Sequence, residues 1–347
     1  MAERESGRRA NRHSLRLRRS DPAAPGLTRC RWGAGFRLLD QHGNPVADDD
    51  RERIRALAIP PAWRDVWICP WPNGHIQATG VDDAGRRQYL YHQQWRRRRD
   101  QQKFDRVLEL APALPDFRKV VESDLGSGGY PRNRALAVAL RMLDHGVFRV
   151  GGEEYVEQHG THGAATLLRE QVAVRRGRVT FDFPAKGGAD QVCTIPDEQL
   201  AKAIASLRRA HSGSDRLLVY RDGAAWQELR AEDVNGRFKE LVGDQYSVKD
   251  LRTWNATVLA AAELAAQPVA TSRRGRRRAE AGMFRAVAEH LGNTPAVARK
   301  SYVDPRLVDR YNDGDTITDL LSGFDPIDLA DAEIRTSAER AVCELLA

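Results

Sequence analysis

The stretch QVAVRRGRVTFDFPAKGGADQVCTI, residues 171–195, interrupts a run of helical periodicity and decides how the larger half of the chain folds. VAV, VTFDF and QVCTI are short runs rich in β-branched and aromatic residues, separated by RRG and AKGGA. They predict a three-stranded meander whose second turn carries Lys186. Upstream, RALAVALRMLDHG (134–146) sets Leu136, Leu140 and Leu143 on one stripe and stops at Gly146, as a helix with a glycine cap does; Arg149 follows at once in FRVGG. From 197 onward helical periods return. SVKDLRTWNATVLAAAELAA (247–266) predicts a helix with Ser247 as N-cap and Arg252 in its second turn. Thr294-Pro295 is a further N-cap and first-turn signal, and Pro305 disfavours helix at 304, so Tyr302 ends a helix of about two turns. RRGRRR, 273–278, reads as a disordered loop.

The amino-terminal part has a different texture. From about 28 to 93, turn signals such as WGAG, DQHGNP, IPP, PWPNG and DDAG punctuate short runs such as VWIC and RQYLY. This predicts a small β-rich domain with one helix at 49–57. In VDDAGRRQYLYH the DDAG turn separates two strands, which puts Gln88, Tyr89 and Tyr91 on or beside a hairpin, with Tyr89 and Tyr91 on one face. Residues 1–20 lack apolar periodicity and read as a disordered basic tail. The expected fold class is α+β: a tail over 1–20, a small β-rich N-terminal domain over 21–97, and a larger, mainly α-helical domain with a three-stranded β meander over 98–347.

Charge narrows the partner. The 347 residues carry 55 Lys and Arg against 48 Asp and Glu, a net charge of +7 that is unevenly spread. Residues 1–20 hold seven Arg against two Glu, RRQYLYHQQWRRRR (86–99) holds six Arg and no acid, and RRGRRR holds five Arg. Local clusters of this kind attract polyanions, because each phosphate contact also releases condensed counterions. Nucleic acid is therefore the leading partner class. Cys30, Cys69, Cys193 and Cys343 lie far apart with no CxxC pair, which argues against a zinc site or a disulfide framework and fits a reducing cytosol. The most apolar run, ATVLAAAELAA (256–266), is far shorter than the ~20 residues of a membrane span. A soluble, cytoplasmic protein is expected, with no membrane association.

Arg149 just past a helix, Lys186 on a hairpin turn, Arg252 on a helix, and Tyr302 at a helix end form a set with a chemical logic. Guanidinium forks grip the non-bridging oxygens of a phosphodiester. A lysine on a turn can protonate a departing alkoxide, and a tyrosine can be the nucleophile if nearby arginines favour its phenolate. Spacing alone leaves the plain reading open for each: a surface aromatic, a helix-capping arginine, an arginine paired with Asp250, a solvated turn lysine.

FRVGGEEY (148–155), FPAKGG (183–188), KDLRTW (249–254) and LGNTPAVARKSY (291–302), in this order, resemble the catalytic domain of type IB DNA topoisomerases of the compact bacterial and poxvirus type. GFRLLDQHGNPV, RIRALAIPPAWRDVWICP, GHIQATGVDDAGRRQYLYH and KFDRVL resemble that family's DNA-clamping domain, so the likeness runs from about residue 27 to about 312. The resemblance implies that Arg149 and Arg252 grip the scissile phosphate, that Lys186 protonates the 5′-oxygen, and that Tyr302 becomes joined to the 3′-phosphate. Asn293 stands where poxvirus and eukaryotic members place a histidine; an amide can donate a hydrogen bond to a phosphate oxygen but has no titratable proton. Gln88, Tyr89 and Tyr91 would make groove or backbone contacts, and Tyr155 a phosphate contact. Duplex DNA, supercoiled in the cell, is the implied partner at the nucleoid. The implied enzyme is a monomer that needs no ATP or other cofactor and no divalent metal.

Two other functions share some of these features. Tyrosine recombinases use the same Arg, Lys, Arg and Tyr, but place a histidine three residues before the second arginine, where this chain has Lys249, and lack the IPPAW…GHIQATG front domain. A non-catalytic DNA-binding protein derived from such an enzyme would not be expected to keep all four residues.

Overall fold

The computed structural model describes residues 16–185, 190–324 and 326–347, with the side chains of Tyr155 and Gln158 left aside. Contacts divide the chain into two compact units, residues 1–102 and 103–347.

The first unit is built on a five-stranded antiparallel sheet. Its strands are β1 (Leu27–Trp32), β2 (Gly35–Leu39), β3 (Arg64–Ile68), β4 (Ile76–Val81) and β5 (Arg87–Tyr91), in the order β2-β1-β3-β4-β5. Helix α1 (Asp48–Ala56), expected at 49–57, sits between β2 and β3 in the chain. One face of the sheet is apolar: Leu27, Val66, Ile68 and Ala78 pack with Val46 and with Ile54 of α1. Period-two alternation then leaves Tyr89 and Tyr91 on the other face. Residues 16–20, expected to belong to the tail, are instead fastened alongside 73–76. The Arg18 amide donates to the Asn73 carbonyl at 2.9 Å, the Arg18 guanidinium lies 3.4 Å from the centre of the Trp71 ring, and Ser20 Oγ donates to the Ile76 carbonyl at 3.0 Å. Residues 1–15 lie outside the described part.

Helix α2 (Gln93–Leu110) carries the chain into the second unit. There α3 (Leu114–Gly126), α4 (Arg132–Asp144) and α5 (Glu153–His159) precede the meander of β6 (Val172–Arg175), β7 (Arg178–Pro184) and β8 (Asp190–Pro196). The strands pair antiparallel in the order β6-β7-β8, as the opening stretch predicts. The helices α6 (Glu198–Arg208), α7 (Ala231–Val242), α8 (Val248–Ala265), α9 (Arg273–Leu291), α10 (Pro295–Ser301), α11 (Pro305–Asp313) and α12 (Ala332–Leu346) complete it. One core runs through the unit from Phe117 and Leu136 to Trp254 and Val342.

Two local expectations differ. A hairpin of β9 (Val219–Asp222) and β10 (Ala225–Glu228) interrupts the helices after 197, turning at Asp222-Gly223, where Gly223 has φ +59°. Strands of four residues are too short to announce themselves by alternation, although Asp-Gly is itself a hairpin signal. RRGRRR is not a loop but the first turns of α9. Ser272 accepts from the Gly275 amide at 3.0 Å as an N-cap, and arginine is a good helix former. Among the described residues no helix is long and apolar enough to cross a membrane.

Candidate active site

Four sequence-distant segments meet around Arg252. α8 begins as expected: the amide and hydroxyl of Ser247 both donate to the Asp250 carboxylate, at 3.0 and 2.8 Å. Asp250 also accepts from Arg106 Nη2 at 2.8 Å, so it is not the partner of Arg252. Arg252, 4 % exposed, points into the protein. Its Nη1 donates to the carbonyls of Gly146, Val147 and Phe148 at 2.7, 3.0 and 3.0 Å, and its Nη2 donates to the Leu291 carbonyl. One planar fork thereby ties the segment after α4 to the end of α9. Gly146 makes its side of this possible with φ +80°, a conformation only glycine adopts cheaply. Burial, and after it the neighbouring Arg149, lowers the Arg252 pKa to about 10, and the Tyr302 phenol partly offsets them. At neutral pH the guanidinium stays charged.

Arg149 leaves this segment and donates from Nη2 to Asn293 Oδ1 at 2.6 Å. The backbone around it is held by close packing of two glycines. The Ala164 amide donates to the Arg149 carbonyl at 2.8 Å and the Ala165 amide to the Val150 carbonyl at 2.7 Å. A Cβ on Gly163 would lie 2.5 Å from the Gly151 nitrogen and 2.7 Å from the Arg149 carbonyl oxygen, a space no side chain can enter. This need for bare backbone accounts for the glycine at 151 in FRVGG.

Asn293 is placed by the end of α9. Gly292 is left-handed at φ 58°, and the Asn293 amide donates back to the Ala288 carbonyl at 2.8 Å. Because Oδ1 accepts from Arg149, the amide orientation is fixed and Nδ2 remains a donor; among the described residues it is buried without a partner. Arg252 Nε is likewise buried and has no hydrogen-bond partner among the described residues. Buried donors left without acceptors cost free energy of about 1–3 kcal/mol each.

Tyr302 closes α10, which Thr294 caps by accepting from the Val297 amide. Its carbonyl accepts from Thr257 Oγ1 at 3.3 Å, and the Lys103 ammonium holds the neighbouring Ser301 carbonyl at 3.1 Å. The Tyr302 ring is half-buried, and its centre lies 5.4 Å from the Arg252 guanidinium carbon. Arg149, Arg252, Asn293 and Tyr302 are thus gathered from three separate stretches. Lys186 lies outside the described residues; β7 and β8, which flank it in the chain, are paired through Pro184 and Asp190. Tyr155 falls in α5. Tyr89 and Tyr91 stand on β5 with rings stacked at 6.0 Å, whereas Gln88 points to the opposite face and donates to Asp82 Oδ2 at 2.9 Å. Among the described residues no three His, Cys, Asp or Glu side chains converge as a metal ion requires.

Sequence reading did not anticipate the partners of Arg252. The only signal for them was the Gly146 stop, read there as a helix cap. A cavity of about 940 Å³, lined in part by Asn293, Gln191, Val258 and Arg335, adjoins the site and left no mark on the sequence pattern.

Residues 92–317 match the family described as "Eukaryotic DNA topoisomerase I, catalytic core", and residues 35–82 match "Bacterial DNA topoisomerase IB, N-terminal domain". The chain is 30% identical over 291 residues to DNA topoisomerase 1B of Acanthamoeba polyphaga mimivirus, covering 82% of this chain and 86% of the viral protein. It is 24% identical over 159 residues to DNA topoisomerase 1 of Daucus carota, which is 45% of this chain and 19% of the plant protein.

Proposed function

The chain belongs to the type IB DNA topoisomerase family, and from that premise we propose that it relaxes positive and negative supercoils by cutting and resealing one strand of duplex DNA. The observation that carries the reading is the series of contacts in which Arg149 is bonded to Asn293 and Arg252, beside Arg149, lies 5.4 Å from the Tyr302 ring centre. In this reading the Tyr302 phenol loses its proton to solvent and its oxygen attacks the scissile phosphorus. An O–P bond to tyrosine forms, the bond from phosphorus to the 5′-oxygen breaks, and the 3′-phosphate is left on the protein.

Arg149 and Arg252 neutralise charge on the non-bridging oxygens, which grows as the phosphorane forms. The unpaired donors at Asn293 Nδ2 and Arg252 Nε are buried groups that such an oxygen would satisfy. Lys186 gives a proton to the departing 5′-oxygen and takes one back on resealing. The free strand end rotates before the 5′-hydroxyl returns. A phosphotyrosine diester conserves about the free energy of the bond it replaces, so neither ATP nor a divalent metal is required. Tyr89, Tyr91, Gln88 and Tyr155 contribute DNA contacts, and the enzyme acts as a monomer at the nucleoid.

Plasmid relaxation in EDTA without ATP tests this. The wild type should relax both signs of supercoil, and Tyr302→Phe should form no covalent adduct; full relaxation by the variant, or none by the wild type, defeats the assignment. Lys186→Ala should cleave slowly, and a 5′-bridging thiolate, a better leaving group that needs no proton, should restore its rate. Failure of that rescue would remove the acid role from Lys186.

A further inference from the structure

Helix α12 lies beyond residue 317, where the match to the catalytic core ends, yet it reaches the segment that carries Arg149. Arg335 Nη2 donates to Asp144 Oδ1 at 2.7 Å, to the Asp144 carbonyl at 3.0 Å and to Asn255 Oδ1 at 3.1 Å. Asn255 Nδ2 donates to the same Asp144 carbonyl at 2.8 Å. Asp144 ends α4 and is 2 % exposed; five residues on is Arg149. Asn255 lies three residues after Arg252 on α8. A single guanidinium therefore holds the root of the Arg149 segment against the helix of Arg252.

The clasp is itself braced. Glu339 of α12 accepts from Arg118 Nη1 and Nη2 at 2.7 Å each, from Trp254 Nε1 at 3.2 Å and from Arg335 Nε at 3.3 Å. Arg118 Nε donates to Asp144 Oδ2 at 2.9 Å. Burial alone would raise the pKa of Asp144, but the guanidiniums of Arg335 and Arg118 outweigh it and hold the carboxyl well below the usual range. Two guanidiniums and two carboxylates thus face one another in one cluster. A buried ion network is a weak source of stability compared with apolar packing, because desolvation cancels much of the attraction. What it does supply is fixed geometry, since each partner displaced alone becomes an uncompensated charge.

We propose that Arg335 is a positioning residue for phosphoryl transfer: by clasping Asp144 to Asn255 it sets the spacing of Arg149 and Arg252 around the scissile phosphate. This rests on the reading of those two arginines as the phosphate grip. It gives the C-terminal helix a part in the reaction.

The test is single-turnover cleavage by the full chain on a duplex that sheds its 5′ fragment, so that adduct formation is irreversible, with resealing measured separately. Leu346→Ala is the comparison, since Leu346 is a buried core residue near the end of α12 outside the ionic cluster. Arg335→Ala should slow cleavage and resealing together by roughly 10- to 100-fold, with affinity for uncut duplex changed less than about threefold. Leu346→Ala should keep near-normal rates even with an equal loss of Tm. A methylphosphonate at the scissile position removes one charge for the arginines to share, so on it the gap between wild type and Arg335→Ala should narrow by roughly tenfold. A cleavage loss that tracks Tm in both variants, or an unchanged gap on methylphosphonate, overturns the proposal. Should Arg335→Ala not fold, Asn255→Ala removes the same link from the α8 side and carries the same expectations. A wild type that forms no adduct would defeat the functional reading instead, whereas a normal Arg335→Ala beside an active wild type would defeat only this inference.

Discussion

Arg252 and Tyr89 hold their side chains under opposite constraints. Arg252 is 4 % exposed and spends its hydrogens on the carbonyls of Gly146, Val147, Phe148 and Leu291, so its position is dictated by two other segments of backbone. Tyr89 is 42 % exposed on strand β5, touching mainly the stacked ring of Tyr91, and its position follows from strand alternation alone. The difference matches what each would do. Stabilising charge that appears only in a transition state requires donors that need no reorganisation when it forms. Holding a duplex by its backbone requires an accessible, adaptable surface. On the proposed function, the second unit would supply the first kind of site and the first unit the second.

Substitutions can break this contrast. Arg252→Ala should lower the cleavage rate constant roughly 100- to 1000-fold and also lower Tm, because four backbone carbonyls lose their donor. Arg149→Ala, whose guanidinium is bonded to Asn293, should slow cleavage by a similar factor with little change in Tm. Equal thermal losses in the two would show that Arg252 is no more a strut than Arg149. Gly163→Ala should cost about 1–3 kcal/mol, seen as a lower urea midpoint, and slow cleavage through the displaced Arg149 backbone; a stable, fully active variant would mean that the close approach to Gly151 is not needed. Tyr91→Ala should have the smallest effect: a few-fold weaker DNA binding, about 1 kcal/mol, with the saturated cleavage rate unchanged. A loss of rate at saturating DNA would place Tyr91 in the chemistry rather than in the grip.

Much of this architecture was legible in local patterns. The meander at 171–195, the Ser247 cap of α8, the helix that ends at Tyr302 and the hairpin carrying Tyr89 and Tyr91 all follow from periodicity, capping and turn residues, which act within a few positions of the chain. The misses have equally local causes. RRGRRR was expected to be a loop, whereas the Gly275 amide meets the Ser272 cap of a helix, and residues 16–20 looked free because their partners, 73–76, lie more than fifty positions away. The ordered motifs FRVGGEEY, FPAKGG, KDLRTW and LGNTPAVARKSY were enough to identify the family, since their residue types and order are written in one dimension.

Which groups touch is a different kind of information. KDLRTW alone allowed Arg252 to lie on a helix surface, and only packing turned it inward to the carbonyls of 146–148 and 291. Nothing in the RNRALAVALRMLD periodicity of α4 announces that Asp144 will meet Arg118, Arg335 and Asn255 from three other helices. The sequence by itself determined most of the elements and the family, because those depend on short-range sterics and on the order of residue types along the chain. The tertiary structure alone decided the partners of the buried charges, because a desolvated ion must find its counter-charge wherever the fold brings one, however distant in the chain.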